Sequence, residues 1–248
     1  YLGSTLVPHL LAVGNRVTVL DRFYFGVEPL ASTVARHGAD LVLQRGDVRR
    51  VTAADFSGID AVVDLAGISN DPSCELDPEL TRAINLEGSV RVAATAAEAG
   101  VQRLVFASSC SVYGHGETEH LDETAPLHPV SLYARCKAEA ETRIHAIGAQ
   151  TGMTTTALRF ATVFGVSGRM RFDVAINVMT KNAYVDRTIT VEGGGRQWRP
   201  FVHVRDVART IAAALERPRE VVRGGVYNVG SDANNLRIVQ LAYRVRDQ

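Results

Sequence analysis

Short apolar runs rich in β-branched residues alternate with longer mixed stretches over the first two thirds of the chain. The runs predict strands at residues 16–21, 41–43, 61–65, 103–108 and 154–160. The longer stretches predict helices at residues 5–12, 78–99 and 132–149. Nearly continuous apolar strands separated by helices are typical of a parallel sheet that is covered on both faces. The pattern therefore predicts an α/β fold with a doubly wound parallel sheet.

This alternation weakens after about residue 165. Segments rich in Gly, Arg and Asn separate isolated predicted strands at 188–191 and 226–229 from a predicted helix at 206–216. We expect residues 1–165 to form the sheet domain and residues 166–248 to form mainly a smaller interleaved lobe, with segments that return to the core. Residues 236–248 predict a helix that is cut before its end.

Composition narrows the class of protein. The 248 residues, 46% of them hydrophobic, suffice for one sizeable core. Lys plus Arg equals Asp plus Glu at 27 each, without a basic stretch, so no nucleic-acid or membrane-surface partner is indicated. No apolar run reaches the ~18 residues of a bilayer span, and no signal peptide is visible. Because Cys74, Cys110 and Cys136 lack disulfide or metal spacing, we expect free thiols, a cytoplasmic location and no metal.

The segment Ser-Leu-Tyr-Ala-Arg-Cys-Lys at 131–137 carries the most informative spacing. Tyr133 and Lys137 lie four residues apart, on one face of a predicted helix. A free tyrosine titrates near pH ~10, and a neighbouring cation lowers its pKa. Tyr133 can then exchange a proton with a sugar or alcohol hydroxyl that Ser109, at a strand end, holds in place. This chemistry suits hydride transfer with a nicotinamide, whereas the same spacing also arises by chance on a solvated helix face.

Two strand ends and one glycine are candidates for dinucleotide binding. Asp21 ends a predicted strand 18 residues after Gly3, close to the ~20 expected for the acidic residue that binds the adenosine ribose. A carboxylate there favours NAD over NADP, although Arg22 can hold a phosphate. Asp47 can accept the adenine amino group while Val48 packs on the ring. Each of these residues is also consistent with an ordinary turn or loop.

Further candidates follow later strands. The predicted strand at 61–65 closes with Leu65, Ala66 and Gly67. Small residues at this point let the backbone approach a cofactor, and they equally suit a tight turn. Asn85 lies within a predicted helix and needs a buried partner, for which the neighbouring strand or an active-site loop is available. Arg199 suits bidentate phosphate binding, and the alternative is a surface arginine in a loop.

Taken in order, these pieces resemble the extended short-chain dehydrogenase/reductase family, specifically its NAD-dependent nucleotide-sugar epimerases and dehydratases. The pieces are Tyr-Leu-Gly-Ser at 1–4, Asp21, Gly-Asp-Val at 46–48, Asp-Leu-Ala-Gly at 64–67, Asn85-x-x-Gly88, Ser-Ser-Cys-Ser-Val-Tyr-Gly at 108–114, Tyr133-x-x-x-Lys137, Arg-Phe-Ala-Thr-Val-Phe-Gly at 159–165 and Arg-Pro-Phe-Val-His-Val-Arg-Asp at 199–206. Each piece is modest alone, but the ordered set is specific. The resemblance implies a Rossmann-like sheet, NAD as cofactor and a nucleotide-sugar substrate, and it is compatible with a homodimer.

The resemblance also implies residue roles. Tyr133 would be the proton-transferring base, Lys137 would lower its pKa and hold the nicotinamide ribose, and Ser109 would complete the triad, with Ser108 as the other candidate. Cofactor contacts are expected from Gly3, Asp21, Asp47, Val48, Leu65, Ala66, Gly67, Ser108, Tyr133 and Lys137. Substrate contacts are expected from Ser109, Ser111, Thr162, Asn177 and Arg199.

The chain departs from the family pattern in three places. A first strand and a glycine-rich turn would precede Tyr1, so we expect a gap in the sheet beside residues 16–21 and poor NAD binding by these 248 residues. Family dehydratases usually carry Asp-Glu directly after the catalytic Ser/Thr, where this chain has Cys110 and Ser111. Thr162 stands where an Asn often touches the substrate.

Cys110 and Ser111 cannot serve as an Asp/Glu acid–base pair, so the chain resembles the epimerase or reductase side of the family more, while Thr162 leaves the sugar open. We expect an activity like that of UDP-glucose 4-epimerase. An NAD-dependent nucleotide-sugar reductase or dehydratase is the alternative within the same chemistry. A non-catalytic NAD(H)-binding sensor or scaffold is the alternative from another class, and the set Ser109, Tyr133 and Lys137 argues against it because a sensor needs no proton acceptor at the nicotinamide.

Overall fold

The computed structural model describes residues 1–114 and 121–248. The strands are β1 (Val17–Asp21), β2 (Leu41–Arg45), β3 (Ala61–Asp64), β4 (Arg103–Ser109), β5 (Thr154–Phe160), β6 (Thr162–Phe164), β7 (Trp198–His203), β8 (Gly225–Val229) and β9 (Asn235–Arg237). The α-helices are α1 (Gly3–Ala12), α2 (Ala31–His37), α3 (Asp71–Leu76), α4 (Pro78–Arg82), α5 (Ser89–Glu98), α6 (Leu132–Thr151), α7 (Ala175–Asp186), α8 (Val204–Glu216), α9 (Arg219–Val222) and α10 (Ile238–Arg246). None of the helices in these two ranges is long and apolar enough to cross a membrane.

The strands form parallel ladders, as the apolar runs predict. β3, β4, β5 and β8 make a four-stranded parallel sheet in that order. β1 and β2 make a separate parallel pair, and the edges of β1 and β3 both line one large cleft. A third sheet, β6-β7-β9, lies in the second half of the chain, while β8 returns to the main sheet.

Helices cover both faces of the main sheet. Along β4, the side chains of Leu104 and Phe106 point into the cluster formed with α5 and α6. The alternate residue Val105 points into a second cluster, formed with α1 and α8. Because successive side chains of a strand face opposite sides, this division explains the nearly continuous apolar runs seen in the sequence.

The central strand β5 shows how a threonine-rich segment is buried. All seven of its residues are buried, including three consecutive threonines. Thr154 accepts from Arg219 Nε at 2.9 Å, Thr155 pairs with His145 Nδ1 at 2.9 Å, and Thr156 donates to the carbonyl of Val222 at 2.9 Å. Each hydroxyl therefore has the partner that burial requires.

Three predicted elements differ from the structure. Residues 188–191 form no strand, because Ile189 and Val191 pack into the cluster between α7 and α10 rather than pair with a neighbouring strand. The helix predicted at 78–99 is divided into α4, a π-helical turn at Ala83–Gly88 and α5. Residues 236–248 begin in β9 before α10 starts at Ile238.

Candidate active site

The end of β4 and the first turns of α6 bring the predicted triad together. β4 ends at Ser109, and Ser131 caps α6 by accepting the N–H of Ala134 at 3.2 Å. Tyr133 is thereby placed in the first turn of α6, with Lys137 one turn further on. The Ser109 hydroxyl lies close enough to the Tyr133 phenol to lower its pKa by hydrogen bonding.

Lys137 is an interior residue. It is 4% exposed, and its Nζ donates to the Ala107 carbonyl at 2.8 Å. The same ammonium group lies 4.6 Å from the centre of the Phe106 ring and 5.9 Å from that of Tyr133. Burial lowers the pKa of Lys137, while the charge of Asp64 raises it. The alternative of a solvated helix face is therefore excluded for Lys137.

The pKa of Tyr133 corrects one expectation. Burial raises this pKa to about 12, while the Ser109 hydroxyl and the charge of Arg171 act in the opposite direction. The sequence predicts that Lys137 lowers the pKa below that of a free tyrosine, and this is wrong for the net shift of Tyr133. Desolvation of the phenol outweighs its neighbours, and the Lys137 ammonium group is directed to the Ala107 carbonyl.

The loop after β3 is held beside Lys137. Asp64 is buried, its Oδ1 accepts the N–H of Ala66 at 3.1 Å, and burial raises its pKa against the opposing charge of Lys137. Asn85, fully buried in the π-helical turn, accepts the N–H of Ile68 at 2.8 Å and donates to its carbonyl at 2.8 Å. The buried partner predicted for Asn85 is thus the backbone of an active-site loop.

The same loop leaves little room for larger side chains. A Cβ atom placed on Gly67 would lie 3.1 Å from Asn85 Oδ1 and 3.9 Å from Lys137 Nζ. Leu65, Ala66 and Gly67 all line the cleft, as a close approach to a cofactor requires.

The carboxyl ends of β1 and β2 bring the two acidic candidates to one side of the cleft. Asp21 is exposed, and its Oδ1 accepts the N–H of Phe23 at 2.6 Å. Asp47 forms a two-bond ion pair with Arg49, at 2.6 and 3.0 Å, and a second pair with Arg22 at 3.3 Å. The hydrogen bond from Arg49 is the main cause that lowers the pKa of Asp47 to about 2. Arg49, with a smaller contribution from Arg22, therefore neutralises Asp47.

Three further cofactor candidates, Gly3, Val48 and Ser108, also line the cleft. A Cβ atom on Gly3 would meet no atom of the described residues within 4 Å. Val48 belongs partly to the core, where its Cγ2 would lie 2.9 Å from a Cβ atom on Gly88. The Ser108 hydroxyl donates to buried Glu141 on the side of α6, whereas the Ser109 hydroxyl lies beside the Tyr133 phenol.

The substrate candidates divide in the same way. Ser111, Thr162 and the exposed Arg199 line the cleft, as predicted for contacts with a substrate. Asn177 is 6% exposed, and its side chain accepts the N–H of Gly165 at 3.0 Å and donates to the carbonyl of Arg171 at 2.9 Å. Asn177 lies in the first turn of α7 and holds the preceding segment through these bonds, so it is a structural residue, which corrects its assignment to the substrate.

Sequence reasoning missed Arg171. Its guanidinium lines the cleft, pairs with Asp173 at 2.6 Å, and lowers the pKa of Tyr133 through its charge. Asp173 also accepts from Asn70 at 3.0 Å, so this pair joins the loop after β3 to the loop before α7. In the sequence, Arg171 stands only in an Arg-Phe-Asp tripeptide, and this pattern indicates no functional site.

One large cleft is lined by the candidate cofactor residues and most of the candidate substrate residues, and its volume is about 2,890 Å³. Part of this volume lies between the facing edges of β1 and β3. The residues fit NAD: Asp64 Oδ2 is buried without a hydrogen-bond partner in residues 1–114 and 121–248, Lys137 Nζ lies beside Gly67, and Asp21 lines the cleft at the end of β1, where the sequence predicts a ribose contact.

The parallel sheet, the neighbouring Tyr133 and Lys137 on α6 and the cleft at the strand ends define an NAD-dependent enzyme of the short-chain dehydrogenase/reductase type. The model of the NAD dependent epimerase/dehydratase family matches residues 1–230, and the chain belongs to this family. The predictions of family, fold class and NAD as cofactor are therefore confirmed.

Known relatives include a curated protein and two solved structures. The uncharacterized UDP-glucose epimerase YtcB of Bacillus subtilis (strain 168) is 30% identical over 194 residues, which are 76% of this chain and 59% of that protein. MoeE5, solved with UDP-glucose and NAD, is 26% identical with a TM-score of 0.85, over 100% of this chain and 78% of its own. DesIV, a dTDP-glucose 4,6-dehydratase from Streptomyces venezuelae solved with NAD, is 26% identical with a TM-score of 0.86, over 99% and 77%.

Proposed function

We propose that this protein is an NAD-dependent epimerase of a nucleotide sugar, similar in activity to UDP-glucose 4-epimerase. The observation that carries the proposal is the combination of an assembled Ser109–Tyr133–Lys137 set with Cys110 and Ser111 at the two following positions. Two similar proteins are named as UDP-glucose epimerases, and the similar protein MoeE5 was solved with UDP-glucose and NAD. Both findings support a nucleotide sugar as the substrate.

The chain's own residues supply the proton chemistry. Tyr133 takes the proton of a sugar hydroxyl through its phenolic oxygen, and Ser109 holds that hydroxyl by hydrogen bonding. Lys137 fixes the start of α6, and with it Tyr133, against β4, because its ammonium group donates to the Ala107 carbonyl. When bound, NAD⁺ supplies the hydride acceptor and a positive charge that favours the phenolate. The sugar becomes a ketone at the oxidised carbon, turns, and regains the hydride on its other face while Tyr133 returns the proton.

A dehydratase needs more acid–base chemistry than this. Loss of water from the keto sugar requires one group to remove a carbon-bound proton and another to protonate the leaving hydroxyl. Burial raises the pKa of Cys110 to about 12, and its Sγ donates to the Arg159 carbonyl at 3.3 Å. Cys110 is therefore a neutral thiol near pH 7, and the Ser111 hydroxyl does not titrate there. This favours epimerisation over elimination.

The test is a substrate panel with the complete gene product. UDP-, dTDP- and GDP-sugars are incubated with the protein and catalytic NAD, and the products are separated by anion exchange and identified by proton NMR in D₂O. We expect one epimer pair to interconvert from both directions without net NADH formation, and the Tyr133→Phe variant to give no product. The same preparation is examined by light scattering, where a doubled mass would support the homodimer.

Each alternative has its own signature in this assay. A deoxy keto sugar carrying solvent deuterium would identify a dehydratase, and stoichiometric NADH would identify a dehydrogenase. Tight NAD binding without turnover of any sugar in the panel would favour the sensor or scaffold. Any of these results would contradict the epimerase proposal.

A further inference from the structure

A continuous chain of buried polar contacts lies behind the triad. Ser108 donates to the carboxylate of Glu141, which also accepts two hydrogen bonds from Arg159, at 3.0 Å from Nε and 2.7 Å from Nη2. The remaining Nη1 of Arg159 donates to the Tyr113 hydroxyl at 2.9 Å, and this hydroxyl donates to Asn228 Oδ1 at 2.7 Å. We call Ser108, Glu141, Arg159, Tyr113 and Asn228 the buried network.

One end of the buried network connects the elements that carry the triad. Ser108 immediately precedes Ser109 on β4, and Glu141 lies one turn after Lys137 on α6. The Ser108–Glu141 contact therefore fixes the end of β4 against the helix that presents Tyr133. No residue of the triad takes part in the contact itself, so the network acts on the triad only through β4 and α6.

The other end reaches the mouth of the cleft. The N–H of Asn228 on β8 donates to Glu123 Oε1 at 2.7 Å, and its Nδ2 donates to the Leu121 carbonyl at 3.1 Å. Leu121 lines the cleft. Asn228 thus attaches the segment 121–123 to the main sheet through both its backbone and its side chain.

The charges of the network are better suited to orientation than to stability. Glu141 and Arg159 are 4% and 5% exposed, and a buried ion pair of this kind often contributes no more to stability than a well-packed apolar pair would. What the guanidinium adds is direction, because its planar fork donates to the carboxylate and to Tyr113 at fixed angles. An apolar pair would fill the volume but would fix neither Ser108 nor Tyr113.

We propose that Glu141 and Arg159 are positioning residues, which set Ser109 opposite Tyr133 and, through Tyr113 and Asn228, hold the segment 121–123 at the cleft. This role rests on the proposed epimerase function for its kinetic consequences. The two branches of the network make separate predictions, since one ends at Ser108, next to the triad residue Ser109, and the other ends at Leu121, which lines the cleft.

The branches are tested with Glu141→Gln, Glu141→Asp and Tyr113→Phe, and with Glu139→Gln as the matched control on the solvated side of α6. Misplacement of a catalytic group by about 1 Å costs on the order of 10²-fold in rate, so Glu141→Gln is expected to lower kcat by about that factor with KM nearly unchanged. Glu141→Asp restores the charge and should recover part of kcat. Tyr113→Phe removes one hydroxyl, and it should raise KM several-fold with kcat within about twofold.

A second readout is independent of turnover. Backbone amide exchange of the segment 121–128, measured without substrate, should quicken in Tyr113→Phe and stay at the wild-type rate in Glu139→Gln. If the wild-type protein turns over no sugar, the proposed function fails, and the exchange experiment still decides whether the network holds this segment.

Two results would overturn the proposal: a folded Glu141→Gln protein with wild-type kcat, or a Tyr113→Phe protein with unchanged KM and unchanged exchange. Should Glu141→Gln fail to fold, Tyr113→Phe decides by itself, because it leaves the Glu141–Arg159 pair intact.

Discussion

Because the pKa of Tyr133 is raised, the bound cofactor has to lower it before Tyr133 can act as a base near neutral pH. At pH 8, a phenol with a pKa of about 12 is ionised in only about one molecule in 10⁴. An opposite charge within ~4–6 Å lowers a pKa by about 1–3 units, and bound NAD⁺ brings one to the nicotinamide end. We therefore expect Tyr133 in the NAD⁺ complex to titrate near pH ~9–11, so that kcat/KM rises about tenfold per unit between pH 6 and 8.

The Tyr133→Phe variant isolates this effect. Removing the phenolic oxygen deletes the proton acceptor but keeps the ring in place, so we expect a rate loss of about 10²–10⁴-fold with little change in the melting temperature or in NAD affinity. The remaining activity should be independent of pH. The assay measures initial epimerisation rates at saturating NAD across this pH range, and Tyr184→Phe, at a tyrosine that is 78% exposed, is the matched control.

Two results would refute this reasoning. A wild-type kcat/KM that is flat between pH 6 and 8 would mean that Tyr133 is not titrating as the base. A Tyr133→Phe protein that keeps the wild-type slope would assign the pH dependence to another group.

Three other predictions address the cofactor end and the supporting structure. Asp21→Ala should weaken NAD binding and relax discrimination against NADP, and unchanged NAD affinity by calorimetry would reduce Asp21 to a turn residue. Asn85→Ala leaves the N–H and carbonyl of Ile68 without their partner, so urea unfolding should show a loss of about 2 kcal/mol or more; a smaller loss would mean that water replaces the amide. The pKa of Asp47 is lowered to about 2, so its ion pair with Arg49 stabilises the fold above pH ~4 and is lost as the pH falls toward 2; Asp47→Asn should flatten acid unfolding in that window, and an unchanged profile would contradict this.

The pattern of apolar residues along the sequence predicted much of the fold. The prediction for residues 154–160 matches β5 residue for residue, and that for 103–108 is one residue short of β4, because both strands are buried on two faces and appear as continuous apolar or threonine-rich runs. The pattern failed at 188–191, where Ile189 and Val191 alternate only because they pack against helices. Periodicity reports burial of side chains, and it cannot show whether the backbone finds a neighbouring strand.

The site was predictable where its residues are close in sequence or fall at strand ends. Tyr133 and Lys137 are four residues apart, and Ser109 ends a strand, so helix geometry and sheet topology place them together. Glu141 and Arg159 meet only because α6 crosses behind β5, and no spacing indicates that contact. The pKa of Tyr133 was misjudged for a similar reason, since desolvation depends on everything packed around the phenol.

The loop beside Lys137 depends on the number of residues in the π-helical turn at Ala83–Gly88, because Asn85 in this turn binds the loop at Ile68. Each residue of an α-helix turns its side chain by about 100°, and a π-helical turn usually accommodates one additional residue. Glu87 is exposed and its side chain is replaceable, yet deleting it would tighten the turn to α-helical winding. Either α5 would rotate Val92 and Ala93 out of the core, or Asn85 would rotate away from Ile68. The segment therefore tolerates substitution at its surface position but not a change in the number of residues.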